Sequence, residues 1–315
     1  MTQFAMLFPG QGSQSIGMLS ALAERHAEVR QTLDEAGGVL ELDLWRLVRE
    51  GPEADLNRTE ITQPAILAAS VAVWRVWRKL GGPAPARLAG HSLGEYAALV
   101  VAEALDFRAA LTLVAERGRQ MQAAVPTGRG AMAAILGLDD EVVGAICREV
   151  AEDELVVPAN FNSPGQIVIS GHAPAVERAV HKCSEAGARR AVMLPVSVPS
   201  HSPLMAPAAQ AMAQQLEQVS IEAPGIPVVH NHDAACHETP AAIRRALVEQ
   251  LVAPVRWTDS MRALTADGIM RFVECGPGRV LTGLGRRIER QADWAALEAP
   301  DALEQAIAEC SQEDK

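Results

Sequence analysis

Apolar positions along this chain fall into two alternating patterns. Short unbroken runs read as buried strands, and stripes at spacings of three and four read as helices packed by one face. Residues 4–8 form the first run and residues 18–30 a helix after it. A long amphipathic stretch, 62–79, ends at Gly81-Gly82-Pro83, the punctuation of a helix stop. A second apolar run, 86–89, leads into a helical segment at 95–105. A helix over 106–124 carries the stripe Leu111, Val114, Ala115, Gly118 and Met121 and stops near Pro126. This alternation predicts an α/β protein, with a parallel sheet covered by helices on both faces.

The middle of the chain follows another order. Residues 131–138 read as a strand, and Asp139 and Asp140 cap a helix running to about Ala151. Strands follow at 155–160 and 166–171, separated by a turn at Asn162-Ser163-Pro164-Gly165. A helix over 174–186 is closed by Gly187, and 190–196 is the last strand. The order β-α-β-β-α-β is that of a ferredoxin-like sandwich. It begins and ends inside the larger unit. The expected division is therefore a domain of 1–126 and 197–315 interrupted by an inserted domain of 127–196, with hinges at the two borders. No internal repeat or low-complexity tract is visible, and Gln312-Glu313-Asp314-Lys315 is expected to fray.

Composition narrows the class. Of 315 residues 49% are apolar, enough for a sizeable core, but only 3% are aromatic, so Ala, Leu and Val must fill it. No run is long and uncharged enough for a membrane span, and the N-terminus lacks the basic start of a signal peptide. Cys147, Cys183, Cys236, Cys275 and Cys310 are scattered with no C-x-x-C spacing. That pattern favours neither a disulfide framework nor a structural zinc site, and it fits a reducing cytoplasm. A net charge of −11 argues against nucleic acid as the main partner. An acidic partner would need a local basic patch.

The chemistry centres on Gly90-His91-Ser92-Leu93-Gly94, which sits between an apolar run and a helix. A serine with glycine two residues away on each side is what a nucleophile elbow requires, because that turn leaves almost no room for side chains there. The helix that follows aims free N–H groups at an anion, and the Leu93 amide is placed to bind a developing oxyanion. Acyl transfer is the chemistry such an elbow performs.

The serine needs a base. His91 adjoins it but neighbours on such a turn point apart, so it reads as packing. His26, His181 and His237 lie in polar surroundings and read as surface residues, and His172 is remote in the inserted unit. His230-Asn231-His232 has the alternation of a strand metal pair but no third ligand at suitable spacing, so no metal is expected. His201 stands in Pro195-Val196-Ser197-Val198-Pro199-Ser200-His201-Ser202-Pro203, a stiff loop at the domain border. It reads either as a base fixed beside a cleft or as a histidine merely packed among prolines. No Asp or Glu recommends itself behind it. The helix over 240–251 is followed by Pro254, which has no N–H, so the Gln250 carbonyl is an orphan acceptor for an imidazole proton or for water. Arg117, at the edge of its helix stripe, is either a snorkelling arginine or a bidentate clamp for a substrate carboxylate.

Together these residues resemble the malonyl-CoA:acyl carrier protein transacylases of type II fatty-acid synthesis. The resemblance spans essentially the whole chain. Its motifs are Phe8-Pro9-Gly10-Gln11-Gly12-Ser13-Gln14, Thr62-Gln63-Pro64-Ala65, Gly90-His91-Ser92-Leu93-Gly94-Glu95-Tyr96, Glu116-Arg117-Gly118, Asn160-Phe161-Asn162-Ser163-Pro164-Gly165-Gln166, Pro199-Ser200-His201 and Gly276-Pro277-Gly278. It implies an α/β-hydrolase-like large domain with a ferredoxin-like insertion. It implies that Ser92 is acylated, that His201 is its base, and that the Gln250 carbonyl orients His201. The amides of Gln11 and Leu93 would form the oxyanion hole, Arg117 would bind the malonyl carboxylate, and Asn160 would line the pocket. Malonyl-CoA and a holo acyl carrier protein are the implied partners, with no metal or redox cofactor, no membrane, and a monomeric cytoplasmic enzyme.

Three rivals accompany this reading. A malonyltransferase loading the carrier of a malonate decarboxylase uses the same motifs. A serine thioesterase shares the elbow but has no purpose for Arg117. A non-catalytic carrier-docking module would have no reason to keep Ser92, His201 and Arg117. For an acidic carrier the candidate basic residues are Lys182, Arg189, Arg190, Arg286, Arg287 and Arg290.

Overall fold

The computed structural model describes residues 3–196 and 198–312. The expected border residue Ser197, the first two residues and the tail Glu313-Asp314-Lys315 lie outside the described residues.

Among the described residues nine strands make two sheets. In chain order they are β1 (Ala5–Phe8), β2 (Arg87–Gly90), β3 (Gly130–Leu136), β4 (Val156–Ser163), β5 (Gln166–His172), β6 (Arg190–Met193), β7 (Val228–Val229), β8 (Arg271–Glu274) and β9 (Asp293–Ala296). The larger sheet has the order β7-β2-β1-β8-β9, and every neighbouring pair is parallel. At its centre β1 shows why an unbroken apolar run belongs there. Met6 and Phe8 point into one core, which includes Ala65, Leu67 and Leu111, and Ala5 and Leu7 into another, which includes Trp257, Met261 and Leu281. Successive side chains leave opposite faces of a strand, so a strand buried on both sides must be apolar throughout. Helices Thr59–Lys79 and Phe107–Ala124 serve the first core, and Trp257–Ala266 and Val280–Ile288 the second. This is an α/β-hydrolase-like arrangement.

The smaller sheet is antiparallel in the order β4-β5-β3-β6, with helices Asp140–Val150 and Ala173–Glu185 on one face. Its topology is ferredoxin-like. Alternation again divides the labour. Ala131, Ala133 and Ile135 of β3 pack under those helices, whereas Met132 faces the other way and groups with Ala159, Val168 and Leu194. β6 is shorter than the pattern 190–196 predicts. Leu194 still donates to the Met132 carbonyl, but Pro195 has no N–H with which to extend the ladder. β4 runs on to Ser163 and shifts register between Pro158 and Asn160. At that irregularity it meets the large unit: Phe161 donates to the Val255 carbonyl, and Val255 to the Ala159 carbonyl, both at 2.9 Å.

The predicted helix at 18–30 is two helices, Ser20–Arg25 and Ala27–Leu40, joined at an extended His26 (φ −133°). Leu22 and Val29 are both buried and lie two helical turns apart in sequence, so the apolar spacing runs straight through the break. Helix Leu44–Glu50, capped by the Asp43 side chain, also went unread.

Candidate active site

The loop after β2 is held by contacts that admit no side chain. A Cβ on Gly90 would stand 1.9 Å from the Gly94 carbonyl carbon, and one on Gly94 would stand 2.1 Å from the Phe8 carbonyl oxygen. Between them Ser92 adopts φ 52°, a left-handed conformation that a non-glycine residue holds only when its surroundings impose it. Those surroundings are polar. The Asn231 side chain accepts from the Ser92 amide and donates to the Gly90 carbonyl, and the Gln250 side chain donates to the Ser92 carbonyl at 2.9 Å. Glu95, on the first turn of helix Gly94–Val101, is fully buried. Its carboxylate accepts from His230 Nδ1 at 2.6 Å, from the Asn231 amide at 3.0 Å and from Gln250 Nε2 at 2.9 Å.

His201 Nε2 lies 2.7 Å from Ser92 Oγ. Its other nitrogen, Nδ1, lies 2.7 Å from the Gln250 carbonyl. A proton on Nδ1 leaves Nε2 as the acceptor for the serine hydroxyl, so the carbonyl sets the tautomer that a base needs. The ring is 3% exposed. Burial, reinforced by the nearby Arg117 charge, pushes His201 down to about 3, while the Gln250 carbonyl opposes the shift. It therefore stands neutral at pH 7, ready to take a proton.

Arg117 is the most informative side chain of the site. It is 1% exposed and reaches Gln63 Oε1 at 2.8 Å, Gln250 Oε1 at 2.9 Å and Ser92 Oγ at 3.3 Å. Its guanidinium lies over the Tyr96 ring, 5.8 Å from the centroid. Among the described residues its Nε has no partner, and no carboxylate lies within ion-pair distance. Burial lowers its proton affinity, Tyr96 and the nearby Glu95 carboxylate oppose the shift, and a buried cation whose hydrogen-bond partners are neutral is costly unless an anion arrives.

Ser92, His201, Arg117, Gln11, Leu93 and Asn160 all line one cavity of about 520 Å³. Its far wall comes from the small sheet through Met132, Val168 and Leu194. Gln250 touches this group through His201 and Arg117. Among the described residues neither the Gln11 nor the Leu93 N–H is taken by another backbone group. Asn160 is 6% exposed, at the bulge where β4 meets Val255. His91 packs against Trp257 with ring centroids 5.4 Å apart and reaches Asn162 Oδ1 at 2.8 Å. His172 stays in the small unit, where its Nδ1 accepts from the Leu155 amide.

Sequence reasoning gave no role to Gln63, Glu95, Asn231 or the Gln250 side chain. Gln63 and Glu95 stood inside the quoted motifs, and only their burial exposes what they do. His237 is not a free surface residue. Its ring stacks with that of His232 and packs tilted against that of His230. The chain doubles back there, which sequence spacing does not reveal.

A serine on a strained elbow, a neutral histidine 2.7 Å from its hydroxyl, two free amides and a buried cation in one cleft are the groups that acyl transfer requires. Residues 5–307 match the acyl transferase domain family. A malonyl CoA-acyl carrier protein transacylase from Escherichia coli O157:H7 is 54% identical over 307 residues, covering 98% of this chain and 99% of that protein. The solved malonyl CoA-acyl carrier protein transacylase of Coxiella burnetii superposes with a TM-score of 0.98 at 48% identity, covering 99% of this chain and 98% of that one. A malonyl-transacylase solved in complex with a type II PKS acyl-carrier protein superposes with a TM-score of 0.97 at 53% identity, covering 98% and 100%. The chain belongs to the acyl transferase domain family and, within it, to the malonyl CoA-acyl carrier protein transacylases.

Proposed function

We propose that this acyltransferase moves the malonyl group of malonyl-CoA to the phosphopantetheine thiol of a holo acyl carrier protein, supplying fatty-acid elongation. The observation that carries the reading is Arg117, buried beside the nucleophile and lacking a carboxylate partner. Its bidentate fork suits the free carboxylate of a malonyl group, and a neutral acyl chain would leave it stranded. That distinguishes the reading from a general thioesterase.

Chemistry in this site runs by ping-pong. Ser92 Oγ attacks the thioester carbon as His201 Nε2 takes the hydroxyl proton. The carbonyl oxygen becomes an oxyanion facing the amides of Gln11 and Leu93. On collapse the C–S bond breaks, CoA leaves as the thiol with the proton from His201, and malonyl-Ser92 remains. The carrier thiol then gives its proton to His201 and attacks the ester, and Ser92 regains its proton as the acyl group departs. Each step uses a side chain or amide of this chain, so the mechanism calls for no redox or metal group. Asn160 lines the acyl pocket, and the Gln250 carbonyl positions His201. The domain division at 127–196 puts the pocket between the two units and makes their borders hinges. We further infer a cytoplasmic monomer that binds no nucleic acid; no helix among the described residues is long and apolar enough to cross a membrane. Mixing with malonyl-CoA adds the mass of one malonyl group to the intact protein; a protein that stays unmodified while hydrolysing the thioester would sink the proposal.

The low proton affinity of His201 shapes the pH profile. Since kcat/KM reports the free enzyme, acylation by malonyl-CoA should stay level from neutrality down to about pH 5, with no break near the ordinary histidine value of about 6.5. A fall with its midpoint near 6.5 would show that the base is an ordinary, solvated histidine. Stability, unlike activity, changes across this range. The unfolded chain accepts a proton near 6.5 that native His201 refuses until about 3. Folding therefore weakens as pH falls through that window, at up to about 1.4 kcal/mol per pH unit.

Carriers of this class are acidic, and so is this chain, so docking needs a local basic patch. Of the candidates, Arg189, Arg287 and Arg290 line one surface cavity of about 370 Å³ with Pro164, Gly165 and Gln166. The Pro164-Gly165 turn stands two residues from Asn162, which lines the reacting cavity. Lys182 is elsewhere engaged, 3.0 Å from Glu149, and Arg286 reaches the Trp294 carbonyl. Reversing the charge at Arg189, Arg287 and Arg290 should raise the apparent KM for the carrier roughly tenfold or more at low salt and much less at high salt. The rate of Ser92 acylation should hardly change. Carrier kinetics that stay as in the native enzyme would place docking elsewhere.

A further inference from the structure

A second group of chemistry-bearing side chains lies outside the reacting cavity, where the chain reverses after β7. Val229 bridges Cys236, the His230 amide donates to the Ala235 carbonyl at 2.9 Å, and the Ala234 amide donates to the His230 carbonyl at 3.0 Å. Ala234 takes φ 58°, which lets the backbone turn back within so few residues. The reversal sets His237 beside His232. Residues five apart would point to opposite faces of a strand and well apart around a helix.

Asp233 stands between them. His237 Nε2 lies 2.9 Å and His232 Nε2 lies 3.4 Å from the same Asp233 oxygen, Oδ2. The ligand atoms of the three residues all lie within 4.8 Å of one another. Ligand atoms bound at about 2.0–2.1 Å around a tetrahedral ion are about 3.3 Å apart, and the His–Asp separations of 3.4 and 2.9 Å lie near that value. The side chains of His232, Asp233 and His237 are 21%, 32% and 22% exposed, open enough for an ion to enter.

The ring of His230 borders this group without belonging to it. His230 is fully buried, with Nδ1 committed to Glu95. Its Nε2, facing away from Glu95, has no partner among the described residues. That ring packs against His237 with centroids 5.0 Å apart. His232 Nδ1 is likewise buried and unpartnered. Within the group itself, His232 thus carries a buried nitrogen left unsatisfied, a condition ordinary packing avoids.

We propose that His232, Asp233 and His237 bind a divalent ion of borderline softness, zinc above all, with water in the open position. Two imidazoles and one carboxylate suit zinc and its transition-metal neighbours and are poor ligands for magnesium or calcium. The bound ion closes the turn that carries Asn231, whose side chain holds the Gly90 carbonyl and the Ser92 amide. It therefore clamps the loop beneath the nucleophile elbow without touching the reacting atoms.

The test uses tag-free full-length protein, stripped with EDTA and carrying Cys236→Ser so that the exposed thiol cannot bind zinc. Calorimetric titration with zinc should give one ion per chain, and saturation should raise the melting midpoint by roughly 5 °C. Cobalt in its place should show the visible bands of a tetrahedral N/O site. H232Q and H237Q, each retaining a polar side chain, should weaken zinc binding about a hundredfold while still acylating Ser92. If one of them does not fold, the other and D233N carry the comparison. No stoichiometric zinc binding by the parent protein, or undiminished binding by the folded variants, overturns the site.

Discussion

Replacing Ser92 with alanine should abolish formation of the malonyl-enzyme and leave the fold in place. The hydroxyl faces a cavity, and its contacts run to His201 Nε2 at 2.7 Å and Arg117 at 3.3 Å rather than to the core. The backbone at this position is held by Asn231 and Gln250 through main-chain atoms, and alanine keeps those atoms. The expected loss is complete at the level of intact mass, because no other side chain in the cavity replaces the oxygen. The melting temperature should move by no more than a few degrees, in keeping with loss of a partly buried hydroxyl. A malonyl adduct on S92A would transfer the nucleophile to another residue.

Arg117→Ala should lower kcat/KM for malonyl transfer by two to four orders of magnitude. Truncating one partner of a buried, hydrogen-bonded charge pair removes about 3–5 kcal/mol, and each 1.36 kcal/mol is tenfold. The free enzyme does not share that loss. The hydrogen-bond partners of Arg117 are neutral, so its removal from the unliganded protein relieves a desolvated charge and gives up only its attraction to Glu95. Acetyl transfer, which presents no carboxylate, should fall far less. Comparing both acyl donors on the same variant separates a carboxylate clamp from a merely structural arginine, which would depress both alike. Arg117→Lys should recover only part of the malonyl rate, because an ammonium does not reproduce the planar fork that reaches Gln63, Gln250 and Ser92.

Much of the architecture was legible because burial on two faces imposes apolar runs. β1 reads as Ala-Met-Leu-Phe with no polar interruption, and the small unit displays its six elements in order. The double helix at 20–40 escaped because buried positions 22 and 29 keep helical phase across the break at His26. The elbow was legible through Gly90 and Gly94, since no other residue fits against Phe8 and the turn itself. The network beneath it was not. Glu95 lies more than a hundred residues before Asn231 and Gln250, and the three meet only through the packing of separate segments.

By itself the sequence determined the strands and helices of the first 125 residues in outline, the six elements of the inserted unit, which serine lies on a tight turn, and that the chain is acidic and rich in small apolar residues. These follow from local sterics and from side-chain periodicity, which act over a few residues. Tertiary structure alone decided which nitrogen of His201 faces Ser92, that Arg117 is buried without a carboxylate partner, and that His237 folds back onto His232 and Asp233. Those outcomes depend on distances between segments remote along the chain. Such distances are set by the packing of the two sheets and by the reversal after β7, and no local preference encodes them.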